Sequence, residues 1–246
     1  MKTSVKDSIK NVYLLEEVAY GRLSPKGIIS FFWGATIFSL FLTIISFRAL
    51  NVESIEPIWS LAAKVNIIVL GIQILITLLF SNQRLSYKLQ KLQLILGVVT
   101  AFKFSIEFYL IFFLQSAYKN APSFIFFVGA ISFIGGILFL LLSVIRGAIR
   151  LKQGHFKKGG SGLYNFKESK PYVSIPIIFA FSIMGGLIGK ASASFSDIGL
   201  LAILLITSIF LQFAVAMALP ELILLAYCKF KYKSFNKIPK YIQGAS

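Results

Sequence analysis

Two residues of opposite charge, Lys103 and Glu107, stand four positions apart inside a long apolar stretch, residues 92–116. On a helix this spacing puts both side chains on one face, close enough to pair. An ionisable group deep in a membrane span is costly and marks an ion or substrate path, a relay or a charge pair. Three readings stand open: a structural pair that holds helices together, a path with Glu107 as its exchangeable carboxylate, or snorkelling side chains with no role. Glu221 follows Pro220 near the end of the last apolar stretch. A carboxylate beside a proline kink either lines a gate or sits at the interface, facing Lys229 or a basic loop. Asn66 and Gln73, seven residues apart, share nearly one helix face, and Gln212 is central in the last stretch. These amides suit hydrogen bonds between helices. Lys64, nearer the end of its stretch, is expected to snorkel to the interface.

Catalytic patterns fail one by one. There is one cysteine, Cys228, and one histidine, His155, so neither a disulfide nor a zinc cluster is available. His155 lies outside the apolar stretches and cannot serve an intramembrane serine. Residues 185–190 end in Gly-Lys but are one residue short of a phosphate-binding loop, and Ala191 replaces the hydroxyl that would hold magnesium. Glu16 and Glu17, with Arg22, lack the spacing and the membrane histidines of a metal-dependent membrane protease. No enzyme activity, cofactor or metal is expected.

The elements that must carry these residues follow from composition. Of 246 residues, 57% are hydrophobic and 14% charged, too little charge to cover a soluble domain. The apolar residues fall in six stretches: 27–47, 58–80, 92–116, 122–145, 172–188 and 199–228. A helix needs roughly 20 residues to cross a hydrocarbon core. In lipid every backbone polar group must be satisfied internally, and runs apolar on all sides select helices over barrel strands. The fold expected is an all-α polytopic membrane protein with six transmembrane helices. The fifth stretch is the shortest and has Pro171 and Pro176 at its start; the sixth is the longest and must tilt, kink at Pro220 or run past the bilayer.

Charge sets the orientation. Lys and Arg collect before the first stretch, between the second and third, between the fourth and fifth, and after the sixth. The other connections hold only Arg48, Lys119 and Lys190. This alternation places both termini in the cytoplasm. The net charge of +16 therefore belongs to membrane topology, and no nucleic-acid partner is expected. Three regions result: a cytoplasmic segment 1–26, a transmembrane domain 27–228 and a basic tail 229–246. The first segment does not have the pattern of a cleavable signal peptide. Within it, Ile9, Val12, Leu15 and Ala19 recur at helical spacing, which predicts an amphipathic interfacial helix over 7–20, ended near Gly21 and Pro25. The connection 146–170, with Gly159, Gly160 and Gly162, is expected to be a mobile basic loop, either solvated near anionic headgroups or docking a partner.

Small residues mark close helix contacts: Gly185 with Gly189, and Ser132 with Gly136. The similarity of residues 31–35 to 126–130 has no companion in later spans and reads as chance.

The size, six spans, an interfacial helix before the first span and basic cytoplasmic loops resemble the membrane subunits of bacterial ABC-2-type transporters. The resemblance is one of architecture and spans the whole chain. It implies a separate ATPase docking on the cytoplasmic loops, with the N-terminal helix and the loop 146–170 as contacts. The other reading is a non-transport membrane interaction protein, such as an immunity, sensing or assembly factor. Either would sit in the lipid bilayer, alone or with other membrane subunits. A composition rich in Ile, Lys, Phe and Ser hints at a bacterial cytoplasmic membrane.

Overall fold

The computed structural model describes residues 11–50, 57–164 and 197–236. The described elements are α1 (Tyr13–Tyr20), α2 (Pro25–Leu50), α3 (Pro57–Ser81), α4 (Gln83–Lys88), α5 (Gln90–Tyr118), α6 (Ser123–Lys152) and α7 (Asp197–Lys231), then a 3-10 turn at Lys233–Asn236. Five of these, α2, α3, α5, α6 and α7, are long and apolar enough to cross a membrane. They coincide with five of the six apolar stretches. The other stretch, 172–188, lies outside the described residues, and so do Gly185 and Gly189.

Local chemistry sets the boundaries. Pro25 and Pro57 open α2 and α3 at first-turn positions, where a missing N–H costs nothing. The Asn82 side chain accepts from the backbone N–H of Arg84 at 3.0 Å and of Leu85 at 3.4 Å, which separates α3 from α4. Asn120 takes a left-handed conformation with φ 47° and ends the turn after α5, just before Pro122 precedes α6. Asn is among the few side-chain-bearing residues that accept this backbone readily.

In the bundle α5 packs on α7 and α2, α3 lies on α2, and α6 lies on α7. Large apolar side chains point outward from these helices, among them Leu75, Phe127 and Ile58. Exposure on that scale is what a lipid-facing surface requires. Inside, Phe38 of α2 sits 4.7 Å from the Phe104 ring and 6.2 Å from the Phe108 ring of α5. One apolar core joins the far halves of α2, α5 and α7, and a larger one lies at the basic end.

The basic end gathers α1, α4, the starts of α2 and α5 and the ends of α6 and α7. At the opposite end Lys119, after α5, pairs with Asp197 at the start of α7. Tyr164 is held at the basic end, where the Arg146 guanidinium lies 5.7 Å from its ring centre. The described chain thus leaves off at one end of the bundle and resumes at the other.

Two expectations change at the basic end. Of the predicted apolar face, Val12, just before α1, and Leu15 and Ala19 are buried, and Ile9 lies outside the described residues; protein rather than lipid covers the buried part. It packs with the end of α7 and the segment after α6, and the Leu14 N–H donates to the Phe156 carbonyl at 3.0 Å. The glycine-rich loop, as far as Tyr164, is a set of tight turns rather than an open strand of solvated chain. Gly154, Gly159 and Gly162 have φ of 76°, 82° and 63°, a region that favours glycine. The Gly162 N–H closes the loop on the His155 carbonyl at 2.9 Å. Phe156 and Leu163 are buried, which fastens the loop to the core.

Helix α7 is 35 residues long and unbroken through Pro220. At ~1.5 Å per residue it measures about 52 Å, well beyond a ~30 Å hydrocarbon core. The surplus runs into the basic end, where Leu225 and Cys228 are buried. Pro220 has no N–H, so the ladder loses its bond to the Ala216 carbonyl there.

Candidate functional site

Lys103 and Glu107 do form a pair, and the pair is the centre of a buried polar cluster joining α2, α3 and α5. Lys103 Nζ lies 2.9 Å from Glu107 Oε1, with the side chains 14% and 1% exposed. The ammonium also donates to Ser39 Oγ on α2 and to Gln73 Oε1 on α3, each at 2.9 Å. Its three donors are all used. Because Ser39 Oγ accepts from Lys103, its own proton goes to Glu107 Oε2 at 2.6 Å. Both carboxylate oxygens therefore have a donor, and the cluster is electrically neutral.

The amide of Gln73 carries the network further. Its Nε2 donates to Thr36 Oγ1 at 3.3 Å, and Thr36 and Thr77 share a hydrogen bond of 2.8 Å. Thr77 in turn donates to the Gln73 backbone carbonyl at 2.9 Å. Two turns nearer the opposite end, Asn66 Nδ2 donates to Thr43 Oγ1 at 3.2 Å. Asn66 and Gln73 thus face the bundle, as their spacing predicts, and both meet hydroxyls of α2. Those hydroxyls were not singled out from the sequence. Thr36, Ser39, Thr43 and Ser46 recur every three or four residues, and all are buried. That periodicity was a readable signal. Lys64 faces outward and joins none of this.

Gln212 belongs to a different contact. It is fully buried between α7 and α6, and its Nε2 donates to the Phe133 carbonyl at 3.3 Å. It fits because Gly136 has no side chain: a Cβ there would overlap the Gln212 amide. Gly129 makes room for the Phe112 ring in the same way. The small-residue seam on α6 therefore runs through Gly129, Gly136 and Gly147, while Ser132 is only partly buried and makes no such notch.

Glu221 does not meet Lys229, but it lies near the end of the described loop, where its charge reaches Tyr164. It pairs with Arg22, in the turn between α1 and α2. Next to it, Gly147 of α6, Leu163 of the loop and Pro220 converge: a Cβ at Gly147 would lie 3.1 Å from Pro220 Cβ and 3.4 Å from Leu163 Cδ1. Tyr164 belongs to this junction as well. Burial pushes its phenol up from the ordinary value, against the opposing pull of Arg146. Arg150 donates to Ser161 Oγ at 3.0 Å, and His155 Nδ1 lies 3.0 Å from the same oxygen.

The burial of Lys229 is a further feature that sequence reasoning missed. Lys229 reads as the first cation of a solvated tail, yet it is 1% exposed and donates to Gln90 Oε1 at 2.6 Å. Nothing in the local sequence distinguishes it, because its burial comes from α5 and from the 3-10 turn, whose Asn236 donates to the Lys229 carbonyl at 2.7 Å. No protein-family model, curated protein or solved structure matches this chain, so its helical, membrane-embedded character rests on its own residues and packing.

Proposed function

We propose that this chain is the membrane subunit of a transport assembly, crossing the bilayer six times with its basic end in the cytoplasm and working with a separate ATPase. The remaining crossing, fifth in chain order, is assigned to residues 172–188. It is supported by the chain leaving off at the basic end at Tyr164 and resuming at the opposite end at Asp197. The cytoplasmic orientation is supported by the concentration of Lys and Arg at that end.

One observation carries the functional reading. The structured cap made by α1 and the loop is joined directly to α7 at Pro220, through Arg22–Glu221 and through Leu163 beside Gly147. A force applied by a partner to this cap reaches α7 where its hydrogen-bond ladder is already interrupted. The test is to isolate the chain from native membranes with its partners and to measure associated ATP hydrolysis. In the complex, Glu221→Gln is expected to reduce the coupling of hydrolysis to transport while leaving the partner bound. A complex with no nucleotide-hydrolysing partner would defeat the proposal.

The second reading, an interaction protein that moves nothing, is favoured by the saturation of the Lys103–Glu107 cluster. Every donor of the ammonium and both carboxylate oxygens are committed, as in a clamp. On that reading Glu221→Gln has no effect on function, and enlarging the packing glycines does.

A further inference from the structure

A groove of about 560 Å³ opens at the basic end where α5 begins, and its lining combines lysines with apolar side chains. Lys88, Lys91 and Lys233 line it together with Gln90, Asn236 and Leu92, and none of its lining residues is acidic. Behind Gln90 lies the buried ammonium of Lys229, whose one hydrogen-bond partner among the described residues is Gln90 Oε1. A buried cation without a counter-charge is strongly unfavourable. Since Gln90 Oε1 faces Lys229, the other end of that amide, an N–H donor, is the one left for the groove. Leu89 gives the first turn of α5 no side-chain cap, and the positive end of the helix dipole lies at this end. Ammonium groups and N–H donors dominate this place; Asn236 adds an acceptor, Oδ1, because its Nδ2 is committed to the Lys229 and Tyr232 carbonyls. The ligand it lacks is an anion with several acceptor oxygens.

The apolar surroundings say where that anion comes from. Leu92 is exposed beside the groove, and Lys91 Nζ sits 5.1 Å from the centre of the exposed Phe230 ring. Both belong to the ends of membrane-crossing helices, at the level where headgroups meet acyl chains. We infer that this groove binds a phosphate group, and that its source is the headgroup of an anionic phospholipid whose chains lie along Leu92 and Phe230. The site does not depend on transport.

The test uses the full chain purified in a mild detergent. Its thermal unfolding is followed with added phosphatidylglycerol, phosphatidylcholine or inorganic phosphate. Phosphatidylglycerol is expected to raise Tm by about 5 °C at saturation, and phosphatidylcholine to leave it unchanged. The triple variant Lys88→Gln, Lys91→Gln, Lys233→Gln should lose the rise. A control with the same loss of charge elsewhere, Lys152→Gln, Lys157→Gln, Lys158→Gln, should keep it. Gln90→Glu, which supplies Lys229 with a carboxylate from within, should raise Tm without lipid and abolish the lipid response. An equal rise with inorganic phosphate would retain the phosphate site and overturn the lipid as its source. Equal responses of the triple variant and its control, or equal responses to the two lipids, would overturn the site itself.

Discussion

Replacing Glu107 by Gln keeps the shape of the side chain and removes its charge. The consequence can be worked from the cluster. Lys103 would retain Ser39, Gln73 and an amide oxygen as acceptors, but no anion, at a site where its side chain is only 14% exposed. Breaking a buried pair from one side costs about 3–5 kcal/mol. The retained hydrogen bonds and the partial exposure of Lys103 put the expectation at the lower end, about 3 kcal/mol. Removing both charges together, as Lys103→Met with Glu107→Leu, leaves no unpaired ion. Buried pairs replaced by apolar residues are often neutral or better, so the double variant is expected within about 1 kcal/mol of the wild type. Equilibrium unfolding in mixed micelles, followed by far-UV circular dichroism, measures all of these. A Glu107→Gln loss below about 1 kcal/mol, or a double variant as unstable as the single variants summed, would refute the argument. The same set bears on function. If the stable double variant still supports transport, Glu107 is no path carboxylate and the pair is a clamp.

Three further outcomes can be checked directly. Gly136→Ala should destabilise by about 1–3 kcal/mol by overpacking against Gln212, and adding Gln212→Ala should recover much of the loss in the same unfolding assay. Phe156→Ala should cost about 3–5 kcal/mol and make the segment after α6 cleavable by protease in everted membrane vesicles; resistance equal to that of the wild type would count against the packed loop. A topology reporter fused at Asn120 should read external and one at Gly160 internal, and the same reading at both positions would rule out the six-span arrangement.

Much of the bundle was legible because a bilayer asks one crude question of each segment, and long apolar runs answer it. The ends of α3 and α5 fall within two residues of the expected stretches for that reason. The Lys103–Glu107 pair was legible because both members lie on one helix. What could not be read were partners brought together by tertiary packing. Arg22 and Glu221 are 199 positions apart, and Lys229 and Gln90 are 139 apart. Ser39 and Thr36 fall between these cases. Their spacing is regular, but a hydroxyl in a membrane helix often bonds only its own backbone, as Ser46 does to the Leu42 carbonyl at 3.0 Å. The type of residue therefore does not say which hydroxyl faces a charge. The loop was misjudged because glycine signals freedom in sequence, whereas here it permits turns that bury Phe156 and Leu163.

The placement of Lys103 and Glu107 on a single helix also bears on biogenesis. A lone ammonium in α5 would have to wait in the translocon, or in lipid, for a counter-ion from another segment. Here the counter-ion arrives with it, one helical turn away, so α5 can leave the translocon as a neutral unit. Helices α2 and α3, made earlier, are by then available to supply Ser39 and Gln73. The order of the chain and the chemistry of the cluster thus agree: the receiving hydroxyl and amide are synthesised first and the self-neutralised pair last. Moving Glu107 to a different helix would preserve the charge count of the folded protein and still obstruct its insertion.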